Sequence, residues 1–492
     1  MLVRWRKTVL ALTMATMSSW MFAFLAASVM FAQPMLAVAQ DDGGDDGGDD
    51  GGDGGDEDDE ESLQGVGGVS IDADGVLRRH MFPDPTGQLH EQRFAEARAL
   101  LDRDIARRSK LRKVSLTRLE AAIEKRIAEG QFPTTPAMRY LAGLTRVRYV
   151  FYYPETKDIV IAGPAEGWGE DLSGRVVALN SKRPVLELQD LVVALRAYPP
   201  SGDRTGAILC SIDPTTEGLA NMQQFLRQVG SRATPADTPF IVDGLQRSLG
   251  LQSITIDGVS ASTHFAEVMA EADYRMKLIG IGLEEPPVNI VSWVSRVKPS
   301  SISRNALQRW FFVPDYECVR VSDDGLAMRM IGRGVKLVSE SEYVSGDGTR
   351  NISGRTNRAS ELFVASFTKM YPELARKSPV FAQLRNLIDM TVAAAFIQDE
   401  DYYGQAGWDM NLFGDESAFS VERQNAPRQV ATAVNSFWKG RRLLTPIGGG
   451  VSIQPRKALD RDNLLSDDQG TVNAARESID INSLPKDKWW WD

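Results

Sequence analysis

The sequence holds little of the residues on which metal and redox chemistry usually depend. Among 492 residues there are two cysteines and three histidines, His80, His90 and His264. A zinc site built from histidines would need all three, yet no His-x-His, His-Glu-x-x-His or Cys-x-x-Cys spacing occurs. We interpret the histidines as ordinary surface or capping residues and predict no metal site and no cofactor.

Motifs for nucleophilic catalysis are equally weak. No Gly-x-Ser-x-Gly elbow occurs. Ser366 and Lys369 match Ser-x-x-Lys, but the motifs that accompany this pair in known enzymes are absent. Cys210 and His264 follow the order of a papain-like pair without the flanking residues of that family. No catalytic residue is predicted, and the sequence favours a protein that is not an enzyme.

An excess of basic residues is also missing, although the net charge of −10 hides the reason. Residues 41–61 hold 13 of the 66 acidic residues, and three of the 56 basic residues precede them, so residues 62–492 carry 53 of each sign. Nucleic acid is therefore not an expected partner. The Asp/Gly-rich segment 40–62 has nothing apolar to bury and is predicted to be a disordered spacer. Weak Ca²⁺ binding by this acidic tract is the alternative, although it lacks the spaced ligands of a calcium loop.

The first 39 residues have the three parts of an export signal. Arg4, Arg6 and Lys7 form a positive start, and the uncharged stretch from Thr8 to Phe31 follows. Residues 37–39 read Ala-Val-Ala, which predicts cleavage between Ala39 and Gln40. The apolar stretch is also long enough for a retained membrane anchor. We expect an exported protein located in the periplasm, the cell envelope or the extracellular space.

Cys210 and Cys318 remain in the exported part of the chain. In an oxidising compartment they would form one disulfide bond. Both lie in apolar, strand-like runs, so two separate buried thiols fit the sequence equally well.

The remaining sequence predicts an α/β fold with a partly parallel sheet, flanking helices and Asp-Gly hairpins. Strand, turn and returning strand occur around Asp74-Gly75 and Asp324-Gly325, and a looser instance ends at Asp257-Gly258. Strands and helices alternate between residues 146 and 282, which is typical of layered α/β proteins. Further along, two long apolar-striped segments predict a C-terminal αα-hairpin unit.

Composition predicts where these parts begin and end. An α/β domain is expected over 63–340, a Ser- and Gly-rich linker over 341–360, and the helical hairpin with short strands over 361–459. Residues 460–492 are polar and predicted to be a disordered tail, although the tail includes Trp489, Trp490, Trp491 and Asp492. Those tryptophans either fold back onto the protein or contact a membrane or partner, and their deletion is expected to leave the fold intact.

One ligand site follows from the expected sheet topology. In parallel α/β sheets, ligands bind beyond the carboxyl ends of the strands. Asp213, Thr215 and Glu217 follow one strand, and Asp257 ends the next. Together they would bind a metal ion or a polar ligand. The alternative is that Asp213 only caps the helix that begins there.

Long stretches of the sequence also carry a resemblance. They are Gly68–Leu77, Tyr153–Trp168, Cys210–Leu219 and Ala272–Gly280. In these stretches the chain resembles a family of exported planctomycete proteins catalogued as a domain of unknown function. The resemblance covers most of residues 65–400 and implies secretion, but it assigns no activity and no site residues.

Two functions are weighed on these grounds. The first is an exported cell-envelope protein that acts as a non-catalytic structural or interaction module, with an envelope protein or a membrane surface as its partner. The second is a hydrolase or metal-dependent enzyme that uses the carboxylates near Asp213.

Overall fold

The computed structural model describes residues 66–201, 205–230, 234–297, 306–315, 319–344, 350–352, 357–435, 437–439, 442–444 and 448–492. Residues Glu61–Asp492 make one compact unit. The predicted signal peptide with its cleavage site at Ala39 and Gln40, and the acidic segment 40–62, lie outside the described residues and stay predictions.

The strands follow one another along the whole described chain. The first ten are β1 (Val66–Ile71), β2 (Val76–Phe82), β3 (Ser109–Ser115), β4 (Tyr149–Tyr153), β5 (Asp158–Ala165), β6 (Trp168–Glu170), β7 (Val176–Ala178), β8 (Ile208–Asp213), β9 (Leu251–Asp257) and β10 (Ala306–Pro314). The others are β11 (Val319–Val321), β12 (Ala327–Met330), β13 (Val335–Val344), β14 (Arg350–Ile352), β15 (Gln429–Ala431), β16 (Phe437–Lys439), β17 (Arg442–Leu444), β18 (Gly449–Ile453), β19 (Leu464–Ser466) and β20 (Trp490–Trp491).

The helices lie between these strands. The first seven are α1 (Gln88–Leu100), α2 (Arg103–Ala106), α3 (Leu116–Ala128), α4 (Pro136–Arg139), α5 (Leu188–Ala197), α6 (Thr216–Val229) and α7 (Thr238–Leu249). The others are α8 (His264–Gly280), α9 (Trp293–Arg296), α10 (Arg358–Lys377), α11 (Pro379–Asp399), α12 (Tyr402–Ala406), α13 (Pro455–Leu459) and α14 (Thr471–Glu477).

Two large mixed sheets organise the fold. The nine-stranded sheet has the order β1-β2-β15-β9-β8-β18-β10-β13-β14, and the seven-stranded sheet has the order β19-β11-β12-β4-β5-β3-β20. Parallel pairs occur between β2 and β15, between β10 and β18, and between β11 and β19. The predicted α/β class with a partly parallel sheet and flanking helices is confirmed.

The Asp-Gly turns behave differently from one another. β1 and β2 pair antiparallel across a turn in which Gly75 has φ 81°. β11 and β12 do the same across Gly325, with φ 66°. Glycine adopts this left-handed conformation without steric cost, so both turns form as predicted. The third expectation is wrong, because β9 pairs with β8 and β15 and the chain after Gly258 enters α8.

The predicted αα-hairpin is present as α10 and α11. α11 lies in the centre of the molecule, since every residue from 380 to 398 is buried. Among the described helices, α11 alone is long and apolar enough to cross a membrane, and its whole apolar window is buried inside the protein. Full burial on all sides is typical of a central core helix.

Segments on both sides of residues 341–360 share one sheet. β15 lies between β2 and β9, and β18 lies between β8 and β10. The chain therefore returns to its first sheet after the helical hairpin. The predicted α/β domain (63–340) and the predicted helical unit (361–459) therefore contribute strands to the same sheet.

Residues 460–492 are ordered, which corrects the prediction of a disordered tail. β19 pairs with β11, and β20 pairs antiparallel with β3. Trp489 and Trp491 are buried, and Val472 and Ile481 pack with Trp491 in one apolar cluster. The run is too polar to build a core of its own, but it completes the core of the seven-stranded sheet.

Candidate functional site

Asp213 lies at the end of β8 and pairs with an arginine. Its carboxylate Oδ2 is 3.1 Å from Arg309 Nη2. The helix that follows is capped by Thr215, whose hydroxyl accepts a hydrogen bond from the Gly218 amide at 3.0 Å. Capping by Asp213 is therefore wrong in detail, because the helix begins two residues later than the sequence suggested.

The other carboxylates of the predicted ligand site lie apart from Asp213. β8 and β9 are antiparallel, so Asp213 lies opposite Ser253, whereas Asp257 lies opposite Leu209 at the other end of the strand pair. Glu217 is exposed in the first turn of α6. The structure thus places Asp213, Thr215 and Glu217 near one strand end and Asp257 at the opposite end.

The two helices between these strands explain the difference. A single helix returns the chain to the starting edge and gives parallel strands. Here α6 runs away from the end of β8 and α7 returns, joined to α6 by an apolar cluster that includes Leu219, Leu245 and Leu249. β9 therefore starts where β8 ended and runs antiparallel to it.

A buried ion pair lies behind Asp213. Lys277 Nζ is 2.9 Å from Asp273 Oδ2 and donates to the Ile212 carbonyl at 2.8 Å. Burial raises the pKa of Asp273 to about 6, although Lys277 opposes this rise. A lysine held between a carboxylate and two strand carbonyls is fixed in place, because Nζ has an acceptor in each of three directions.

Cys210 lies on β8 and is buried. Burial raises the pKa of this thiol, so the nucleophilic thiolate is disfavoured. Cys318 lies outside the described residues, and a disulfide between the two cysteines stays a prediction.

A cleft of about 360 Å³ opens between α5 and two loops. One loop precedes α8 and the other follows Asp415. The cleft is lined by Val193, Arg196, Ala197, Thr205, Gly258, Val259, Ser260, Ser262, Thr263, Glu416, Val421 and Arg423. Its volume lies at the lower end of ligand sites in proteins.

Arg196 fixes one wall of this cleft. From α5 it donates to the carbonyls of Phe413 at 2.7 Å and Phe419 at 2.5 Å, and it pairs with Glu416. The loop is thereby held against α5. On the other wall, Thr263 caps α8 by accepting a hydrogen bond from the Ala266 amide at 3.3 Å. Both walls are built by hydrogen bonds and are preformed.

His264 begins α8 beside the cleft residue Thr263 and contacts two carboxylates. Its Nδ1 is 2.8 Å from Asp190 Oδ2, and its Nε2 is 3.8 Å from Glu187 Oε1. Burial alone would lower the pKa of His264, but Asp190 and Glu187 outweigh it and raise that pKa to about 10. The imidazole is therefore protonated at neutral pH and cannot accept a proton as a general base.

The charges continue from His264 along α8. Glu267 follows on the helix, and its pKa is raised by burial and lowered in part by His264. Glu271 pairs with Arg175, which also donates to the Gln383 side chain at 3.0 Å. Arg275 Nη2 is 2.7 Å from Glu284. These pairs tie α8 to neighbouring elements and balance one another, as buried charges must.

Neither the cleft nor the ion pairs of His264 were predicted from the sequence. His264 was interpreted as a surface or capping residue, whereas its side chain is only 17% exposed and ion-paired. Its partners Glu187 and Asp190 lie more than 70 positions earlier in the sequence, so no local motif around His264 predicts these contacts. Within the described parts of the chain, no group of three or more His, Cys, Asp or Glu side chains is placed to hold a metal ion.

Comparison with known proteins finds a family match for one segment of the chain. No curated protein and no solved structure matches the chain. A family described as "Protein of unknown function (DUF1598)" matches residues 210–293. This segment runs from β8 to the first residue of α9, so it includes the 258–263 wall of the cleft and His264, but not α5. The comparison thus shows similarity to a family of unknown function over residues 210–293 and assigns no activity.

Proposed function

We propose that the chain is an exported protein of the cell envelope that acts as a non-catalytic interaction module, with a segment of another envelope protein bound in the cleft beside α5. The observation that carries the non-catalytic part is the state of His264. It is the histidine next to the cleft, and two carboxylates hold it as a cation. A group fixed in this way supports the wall of a site and does not move protons at neutral pH.

The lining of the cleft supports a polypeptide as the ligand. It combines aliphatic side chains such as Val193 and Val259 with the hydroxyls of Ser260 and Ser262. A peptide segment presents apolar side chains together with main-chain donors and acceptors, so it matches such a mixed surface. The cleft is preformed, which lowers the entropy cost of binding.

The rival functions have less support. A hydrolase or metal-dependent enzyme at Asp213 would need its carboxylates together, and Asp257 lies at the other end of the strand pair. A membrane surface as partner rested on exposed tryptophans, and Trp489 and Trp491 are buried. Weak Ca²⁺ binding by the acidic tract rests on the sequence alone.

Export is tested at the start of the mature chain. We expect the exported protein to begin at Gln40, because Ala37 and Ala39 supply the small residues that signal peptidase needs. N-terminal sequencing of protein purified from envelope and extracellular fractions measures this directly. A chain that still starts at Met1 and stays with the membrane would instead be an anchored protein.

The cleft is tested by filling it. Ser260 lines the cleft and is exposed, so Ser260→Trp should fold normally and block the site. We expect the wild-type protein to retain a specific envelope protein in a pull-down, and the variant to lose most of it, with at least a tenfold weaker Kd for the purified partner, about 1.4 kcal/mol.

The matched control places the same side chain elsewhere. Ser466 is exposed on β19, in the other sheet, and Ser466→Trp should leave partner binding unchanged. Circular dichroism and thermal unfolding confirm that both variants are folded. Equal retention of the partner by Ser260→Trp and by the wild type would show that the cleft is not the binding site.

A further inference from the structure

A group of four arginines, two of them buried, lies away from the cleft, around α11 and the segment that leads into β4. Arg146 and Arg385 are 6% and 8% exposed, so each is more than nine-tenths buried. Arg146 Nε donates to Asp389 Oδ2 at 2.6 Å. Arg183 lies close enough to interact with both, and Arg148 lies close enough to interact with Arg146. We call Arg146, Arg148, Arg183 and Arg385 the arginine cluster.

The arginine cluster lacks enough negative charge. Asp389 is the carboxylate in direct contact with it, and Glu166 is the acid that acts most strongly on Arg183. Within the described residues, four cations against these two anions leave two positive charges without a counter-charge. Burial and the neighbouring Arg146 lower the pKa values of Arg148 and Arg385 to about 10, yet both remain charged at pH 7. Arg148 and Arg183 are partly exposed and partly solvated, whereas Arg385 is buried, and a buried charge without a partner costs several kcal/mol.

Hydrogen-bond donors in the cluster are also free. Among the described residues, Arg146 Nη2 and Arg385 Nε are buried donors without a partner. Arg385 also makes no ion pair with an acidic side chain of the described residues. Unsatisfied buried donors of this kind usually mark an ion or a water molecule that completes the site.

Gly334 closes the cluster from the turn between β12 and β13. Its φ is 78°, and a Cβ atom there would lie 3.1 Å from Arg146 Nη2 and 3.2 Å from Asp389 Oδ1. A residue with a side chain would be strained and would press on both groups. The absence of a side chain lets the backbone approach the arginines closely.

We infer that the arginine cluster is a binding site for a small tetrahedral oxyanion, of the class of phosphate and sulfate. The guanidinium fork matches the spacing of oxygen atoms on such anions. A dianion would neutralise the two uncompensated charges and accept hydrogen bonds from Arg146 Nη2 and Arg385 Nε. This site is separate from the cleft, and its existence does not depend on the proposed function.

The test uses inorganic phosphate at constant ionic strength, with chloride as the replaced anion. We expect the Tm of the exported protein to rise saturably, by about 3–5 °C at a phosphate concentration a hundred times the Kd. Sulfate should act in the same way and acetate should not. Equilibrium dialysis with labelled phosphate on the wild-type protein should show a single site per chain.

Arg385→Met separates this site from a general salt effect. The variant should lose the phosphate response, while its Tm in phosphate-free buffer should equal or exceed that of the wild type, because an uncompensated buried charge is removed. Arg333→Met is the matched control, since Arg333 is exposed next to Gly334 and its loss should leave the response intact.

Three results would overturn the inference. They are the absence of a saturable phosphate response, an unchanged response in Arg385→Met, and an equal response to acetate. If Arg385→Met fails to fold, dialysis on the wild-type protein still decides, because an oxyanion site must retain phosphate there. Ser260→Trp should keep the phosphate response, so the two proposals fail independently.

Discussion

Deletion of residues 489–492 is expected to unfold the protein or to leave it barely stable. Trp489 and Trp491 are buried, and loss of a buried tryptophan costs about 3–5 kcal/mol. Deletion would also remove Asp492, which accepts a hydrogen bond from the fully buried Arg112 at 2.7 Å. An unpaired buried charge adds about 3–5 kcal/mol, so the total approaches the whole stability of a typical domain. Urea unfolding followed by circular dichroism measures the change.

The variant Asp492→Ala measures how much of this loss of stability comes from the missing counter-charge of Arg112. Burial would raise the pKa of Asp492, but hydrogen bonds from Arg112 and Arg107 lower it to about 2, so the group is charged at neutral pH. Arg112 would keep its bonds to backbone carbonyls such as Ala142 but lose its counter-charge. Lys488→Ala is the control, because Lys488 is exposed and should change stability by less than about 0.5 kcal/mol. A deletion variant with wild-type stability would restore the earlier expectation that these residues are dispensable.

Raising the pH is expected to destabilise the protein through His264. Its folded pKa of about 10 lies above the unfolded value near 6.5. Stability from the charged imidazole is therefore fully present below about pH 6.5 and is lost as the pH rises through about 10. The loss should reach several kcal/mol, because Asp190 and Glu187 would remain without their cation. NMR of the His264 ring should show it still protonated at pH 8.

Asp190→Asn tests the cause of this pH dependence. Asp190 contributes most to holding the proton on His264, so the variant should lower the pKa of His264 and be less stable at pH 6. The fall in stability between pH 6.5 and 10 should shrink accordingly. His80→Gln is the control, because His80 is exposed and should cost less than about 0.5 kcal/mol. A neutral imidazole at pH 7 in the wild type would contradict the proposed non-catalytic function as well.

Local structure could be predicted from the sequence because its causes are local. Gly75 and Gly325 adopt the left-handed conformation that tight turns need, and both hairpins form. Ser115 caps α3 by accepting a hydrogen bond from the Arg118 amide at 3.2 Å, which is a contact within one helical turn. The helical hairpin was visible from apolar residues at helical spacing.

Strand pairing could not be predicted in the same way. The direction of β9 depends on α6 and α7 packing together, which is a contact between segments and not a property of either. A parallel β9 would place Asp257 beside Asp213, at the end of β8. In the antiparallel arrangement Asp257 lies at the opposite end, so the residues of the predicted ligand site do not form one cluster. The cleft and the His264 ion pairs likewise join residues more than 70 positions apart.

The ordered structure of residues 460–492 could not be predicted for a related reason. Its 33 residues are mostly polar, and composition alone predicts disorder for such a run. Some of these polar side chains help to order the segment, since Asp467 accepts hydrogen bonds from the Thr471 and Val472 amides at the start of α14. A segment needs no core of its own when another part of the protein offers one.

The pairing of β20 with β3 also bears on the order of folding events during the proposed export. Arg112 and Asp492 are 380 positions apart, so the seven-stranded sheet cannot be completed until nearly all of the described chain is available. Until residues 489–492 arrive, Arg112 lacks its counter-charge and the edge of β3 stays open. A chain that emerges progressively from a secretion channel would remain incompletely folded until late. Late completion keeps the chain compatible with a channel that passes unfolded protein, and leaves it dependent on protection from aggregation on the far side.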